Sequence, residues 1–237
     1  MESTQTRKYN GHDIATVFHD TNSKDIVIFC HGYRSSTIGP NRFFVRAARK
    51  LAEHNISSLR FDQYGSGNSE GDFFDSSFAD WVATTKVIAQ DYLDIGYRVA
   101  LLGQSMGGST VIVAASELSA LTSMVAWVPD ASVDEFQTPE SGVIEESGEI
   151  VTASYWQEAH DVNVGERLLR IEAPSYIVQC TADEYVNQMN RDVLTRNAQP
   201  QHMVDKFDGY THSSWTYRQS EDIIAKSVDF LVRSFKR

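Results

Sequence analysis

Only two cysteines, Cys30 and Cys180, occur in the 237 residues. That excludes a disulfide-stapled fold, and without a CxxC pair or an HExxH run no zinc site is implied. Both cysteines lie in apolar stretches, where a reduced thiol behaves as a small buried hydrophobe. Cations are scarce as well: 21 Lys and Arg against 32 Asp and Glu leave a net charge of −11. A nucleic-acid partner is therefore not expected, because neutralising phosphates needs clustered Lys and Arg. Long hydrophobic runs are missing. No stretch reaches the roughly 18 apolar residues of a membrane-spanning helix, and "MESTQTRKYNGHDIATVFHD" lacks the apolar centre of a secretion signal. A cytoplasmic protein with no membrane span is the expectation.

What is present is an alternation of short apolar, β-branched runs with longer segments of helical period. "DIVIFCHG" (25–32), "ISSLRFD" (56–62), "RVALLGQ" (98–104), "SMVAWVPD" (123–130), "APSYIVQCTAD" (173–183) and "QHMVDKFDG" (201–209) read as strands. Between them, 41–54, 76–96, the segment after Ser105, a stretch around 187–198 and the terminal 220–237 read as helices. Ser77 followed by Asp80 approximates a capping box for the second of these. The basic face of 41–54 (Arg42, Arg46, Arg49, Lys50) reads as a solvated stripe. Such alternation predicts an α/β fold with a mostly parallel central sheet and helices on both faces. In that architecture reactive groups gather beyond the carboxyl ends of the strands.

One segment breaks the alternation. Residues 131–165 carry Asp134, Glu135, Glu140, Glu145, Glu146, Glu149, Glu158 and Asp161 and no Lys or Arg. A connection of that length inside a compact unit is usually functional. It is read as a short cap inserted in a single domain spanning 1–237. Its acidity should modestly disfavour anionic substrates.

The chemistry centres on Gly103-Gln104-Ser105-Met106-Gly107, which fits the G-x-S-x-G nucleophile elbow. A strand running straight into a helix strains the residue between them and projects its side chain, and glycines are needed where neighbours would collide. The same bend leaves the backbone N–H of Met106 at a helix N-terminus, able to stabilise an oxyanion. A serine hydroxyl needs a histidine to take its proton and a carboxylate to hold that histidine. The strand "SYIVQCTAD" ends at Asp183, and His212 lies in the loop after the next strand, in the chain order Ser, acid, His. Asp130, after an intervening strand, is the rival acid; Asp62 and Asp208 are weaker ones. His31-Gly32 permits a tight turn that offers the N–H of Tyr33 as second oxyanion donor, with His31 as a loop brace. His12, His19, His54, His160 and His202 fall outside the required order. The glycine-rich 61–71 turn fits neither a dinucleotide nor a Walker fingerprint. Trp127, Tyr155, Trp156 and Trp215 are candidate pocket walls, with core packing as the alternative for each. No metal or organic cofactor is required.

"HGYRSS", "SLRFDQYGSGNSEG", "GQSMGG", "TADEYV" and "GYTHSSW" stand in the order used by the α/β-hydrolase superfamily, which the chain resembles over nearly its full length. The first half resembles bacterial cinnamoyl and feruloyl esterases and monoacylglycerol-lipase-like serine hydrolases. That resemblance implies an α/β-hydrolase fold, Ser105, Asp183 and His212 as triad, and the Tyr33 and Met106 amides as oxyanion hole. Met106 stands where those feruloyl esterases have Gln, and 131–165 is more acidic than their cap, so the phenolic ester itself is not carried over. The expectation is a carboxylesterase for neutral small-molecule esters. A thioesterase, monoacylglycerol lipase or amidase on the same triad is the alternative, then a non-catalytic ligand-binding relative. The oligomeric state, a homodimer included, is left open.

Overall fold

Strand-by-strand alternation explains the sheet. Ile26, Ile28 and Cys30 join one hydrophobic cluster while Val27 and Phe29 join another, so this strand is buried on both faces and reads as an unbroken apolar run. The computed structural model describes residues 2–134, 137–146 and 148–237. Among these, strands β1 (Glu2–Tyr9), β2 (His12–His19), β3 (Asp25–Cys30), β4 (Ser57–Phe61), β5 (Arg98–Gln104) and β6 (Ser123–Trp127) precede a small hairpin, β7 (Val143–Glu146) and β8 (Glu149–Thr152). Strands β9 (Ser175–Cys180) and β10 (His202–Phe207) complete the main sheet. The helices are α1 (Phe43–Glu53), α2 (Phe78–Asp94), α3 (Met106–Ala115), α4 (Ala153–Asp161), α5 (Val164–Arg167), α6 (Gln188–Asn197) and α7 (Tyr217–Phe235).

The main sheet has the order β1-β2-β4-β3-β5-β6-β9-β10. It is parallel from β4 to β10, with β1 and β2 added antiparallel at one edge. The register aligns the carboxyl ends: Cys30 lies opposite Gly103, Gln104 opposite Trp127, and Trp127 opposite Val178. Loops leaving β3, β5, β6 and β9 therefore emerge side by side. Residues of α2 and α3 pack on one face of the sheet and those of α1 and α7 on the other.

Several expectations shift in detail. The N-terminal hairpin, turning at Asn10 (φ 50°) and Gly11 (φ 86°), adds two strands that the apolar pattern did not predict. The terminal helix starts at Tyr217 rather than 220 because Thr216 and Gln219 form a reciprocal capping box. The basic face of α1 is not wholly solvated: Lys50 and Arg46 reach Glu221 of α7 at 2.7 and 3.5 Å. Segment 131–165 contains the β7–β8 hairpin, α4 and the start of α5; Glu135, one of its acidic residues, lies outside the described residues. Among the described residues no helix is long and apolar enough to cross a membrane.

Candidate active site

Two glycines fix the bend between β5 and α3. A Cβ on Gly103 would lie 2.1 Å from the carbonyl oxygen of Gly107, and one on Gly107 would lie 2.2 Å from that of Cys30. Neither position can carry a side chain. Between them Ser105 adopts φ 56° and ψ −124°, a conformation that L-residues avoid. Its N–H donates to the carbonyl of Trp127 at 2.8 Å, which anchors the strained residue to β6.

The bend places Ser105 Oγ 2.7 Å from His212 Nε2, and His212 Nδ1 2.8 Å from Asp183 Oδ2. These side chains come from the loops after β5, β10 and β9. An ionised carboxylate only accepts, so its partner Nδ1 carries the imidazole proton and Nε2 is left to accept from the serine hydroxyl. Asp183 Oδ1 in turn accepts the backbone N–H groups of Tyr185 and Val186 at 2.9 and 2.8 Å. The His212 and Asp183 side chains are 8% and 1% exposed, so water does not compete for the contact. Glu184 accepts the His212 N–H at 3.1 Å, and Tyr185 sets its ring edge-on to the imidazole.

The loop after β3 is braced from beneath. Gln63 N–H donates to His31 Nε2 at 2.9 Å, and His31 Nδ1 meets the Gly32 carbonyl at 2.8 Å. That network fixes His31 in one neutral tautomer, and burial lowers its pKa. Asp62 accepts Thr37 N–H at 2.6 Å and Asn68 N–H at 2.9 Å, tying this loop to the glycine-rich 61–71 turn. Gly32 itself approaches closely: a Cβ there would lie 2.9 Å from the Gln104 carbonyl and 3.1 Å from Ser105 Cβ.

A cavity of about 700 Å³ opens over Ser105, with Tyr33, Met106, Asp130, Trp156 and His212 among its walls. Of the four aromatic wall candidates only Trp156 lines it. Tyr155 is fully buried behind Tyr33 and Trp156. Trp127 and Trp215 belong to the core under α1 and α7, a correction to the sequence expectation. Trp127 donates its indole N–H to Ser227 at 2.8 Å, and Trp215 stacks on Phe43. Spacing cannot distinguish an aromatic at a strand end that faces the helix layer from one that faces the site. Residues the sequence did not single out also line the cavity: Arg34, Ser35 and Ser36 after β3, and Tyr185 and Val186 after Asp183. Their adjacency to the motifs was the only available signal.

Asp130 shares the cavity wall but makes no hydrogen bond or ion pair with His212. Its Oδ1 accepts Ser132 N–H at 2.8 Å, and burial pushes its carboxyl above the usual carboxylate range. The two cysteines are buried and free, and burial raises their thiols to about 11 and about 12. Among the described residues no group of three or more His, Cys, Asp or Glu could hold a metal ion.

A family model described as serine aminopeptidase, S33, matches residues 21–141. No protein with curated annotation is a significant match. Among solved structures, esterase Est1E from Butyrivibrio proteoclasticus with bound ferulic acid superposes with a TM-score of 0.87 at 18% identity, over 98% of this chain and 100% of that one. The α/β hydrolase GrgF from Penicillium sp. sh18 gives 0.83 at 15% identity, over 100% of both chains. The Pyrococcus furiosus esterase Pf2001 gives 0.74 at 19% identity, over 98% of this chain and 92% of that one. At these identities the likeness establishes the α/β-hydrolase fold.

Proposed function

The chain belongs to the serine aminopeptidase S33 family of α/β-hydrolases, and from that premise we propose that it is a serine hydrolase that cleaves neutral carboxylic esters. The observation carrying the proposal is the unbroken contact chain from Ser105 Oγ through His212 to Asp183. His212 Nε2 takes the proton as Ser105 Oγ attacks the ester carbonyl. The N–H groups of Tyr33 and Met106, both at the cavity wall, receive the oxyanion. Met106 opens α3, so its N–H has no partner four residues back and sits at the positive end of the helix dipole. His212 then protonates the leaving alcohol, and a water deprotonated by His212 releases the acid from the acyl-enzyme. Asp183 holds the reactive tautomer and stabilises the imidazolium. The related esterases Est1E and Pf2001 favour an ester substrate.

Residues 131–165 serve in this reading as a cap on a single domain, consistent with Trp156 of α4 reaching the cavity. The family description favours a second reading, hydrolysis of aminoacyl amides by the same groups. Labelling with a fluorophosphonate followed by parallel p-nitrophenyl ester and aminoacyl p-nitroanilide panels tests both. Wild type should label and turn over short neutral esters, and Ser105→Ala should lose the label and about 10⁶ in rate. A folded wild type that stays unlabelled would sink the enzyme reading; faster turnover of the anilides would favour the peptidase.

A further inference from the structure

Asp130 is a carboxylate in the cavity wall that the proposed reaction does not use. It forms no ion pair with any described residue, and only one of its oxygens, Oδ1, accepts a hydrogen bond from one, the Ser132 N–H at 2.8 Å. Oδ2 accepts none, and Asp130 lines the cavity over Ser105. A partly buried carboxylate held without a cation is costly, and an apolar residue would fill a wall at less expense.

The backbone is bent to hold it there. Two residues before Asp130, Val128 has φ 44°, and two residues after it Ser132 has φ 52°. A β-branched residue in the left-handed region is an outlier, and such strain persists only where the surroundings impose it. Here they do: Asp130 N–H donates to Ser109 Oγ at 3.1 Å, and that hydroxyl donates back to the Asp130 carbonyl at 2.8 Å. Ser109 is fully buried on α3, one turn from the bend at Ser105. The carboxyl is thus fixed relative to Ser105 by a clamp on the same helix.

We propose that Asp130 is a specificity residue whose free oxygen accepts a hydrogen bond from a hydroxyl group on the substrate. A neutral donor suits the neutral ester of the proposed function. The inference rests on Ser105 being the nucleophile, and the test separates the two. Matched p-nitrophenyl methylphosphonates carry a second alkoxy chain, propyl to hexyl, ending either in methyl or in hydroxyl. Attack by Ser105 Oγ forms the Ser–O–P bond and expels p-nitrophenolate, while the serine proton goes to His212. At one chain length the hydroxyl probe should label wild type roughly 10- to 100-fold faster than its methyl twin. That ratio should fall close to one in Asp130→Ala. It should drop several-fold in Asp130→Asn, which keeps the shape and the Ser132 contact but loses the charge. If neither probe labels folded wild type, the serine hydrolase reading fails and this inference falls with it. If both label but the ratio is one at every length, or survives in both variants, only the Asp130 assignment is overturned.

Discussion

Asp183 and Asp130 follow neighbouring strands, β9 and β6, on the same side of the sheet, and their surroundings are opposite. Asp183 has both oxygens engaged, one by the Tyr185 and Val186 N–H groups and the other by the His212 imidazole. Asp130 has one backbone N–H on one oxygen. The strand end therefore delivers a carboxylate to the site in both cases, and the loop that follows decides its chemistry. A loop that turns two N–H groups inward occupies one carboxylate oxygen and leaves the other to the imidazole. A loop that supplies one, under burial, leaves a carboxyl whose pKa is raised and which has capacity for a further donor.

The largest test of this contrast is kinetic. Asp183→Asn presents an amide to His212 and favours the wrong tautomer, and kcat on a plain p-nitrophenyl ester should fall by about 10³–10⁴. Asp130→Asn on the same ester should cost far less, within about tenfold. Comparable losses in both variants would break the comparison and return Asp130 to the role of triad acid.

Stability should move in the other direction. A carboxyl whose folded pKa lies above its unfolded value of about 3.9 binds protons more tightly when folded. Folding is then penalised as pH rises through the window between those two values. Asp130→Asn lacks that penalty, so near neutral pH it should be the more stable of the two in urea melts. The difference should shrink as pH falls toward about 4. A variant less stable than wild type at neutral pH would mean that the Asp130 charge is already compensated.

Much of this contrast was legible before any coordinates, because it follows from order along the chain. The apolar runs of β3, β5 and β9 locate the parallel core, and Gly103, Ser105, Asp183 and His212 then fall at its carboxyl edge. What escaped depends on geometry that pattern does not encode. β1 is exposed along nearly its whole length, so no apolar alternation marked it, although Asn10-Gly11 is a readable hairpin signal. Trp127 and Trp215 sit beside the motifs in sequence and face the helix layer in space. The strain around Asp130 was invisible, since neither Val128 nor Ser132 is a residue type that favours positive φ.

That strain offers the smallest and most specific test. Ser132 has φ 52°, and its hydroxyl makes no hydrogen bond to a described residue, so Ser132→Gly removes little except the conformational penalty. Glycine should recover about 1–2 kcal/mol of left-handed strain and lose about 0.4–1 kcal/mol to the freer unfolded chain. A net gain of up to about 1.6 kcal/mol in urea melts follows from the difference between those two ranges. The same change loosens the N–H that holds Asp130 Oδ1, so the preference for the hydroxyl phosphonate should weaken while remaining above that of Asp130→Ala. A gain in stability with selectivity intact would show that the clamp from Ser109 suffices to aim the carboxyl. Loss of both would mean that Ser132 supports the turn through contacts other than its backbone conformation.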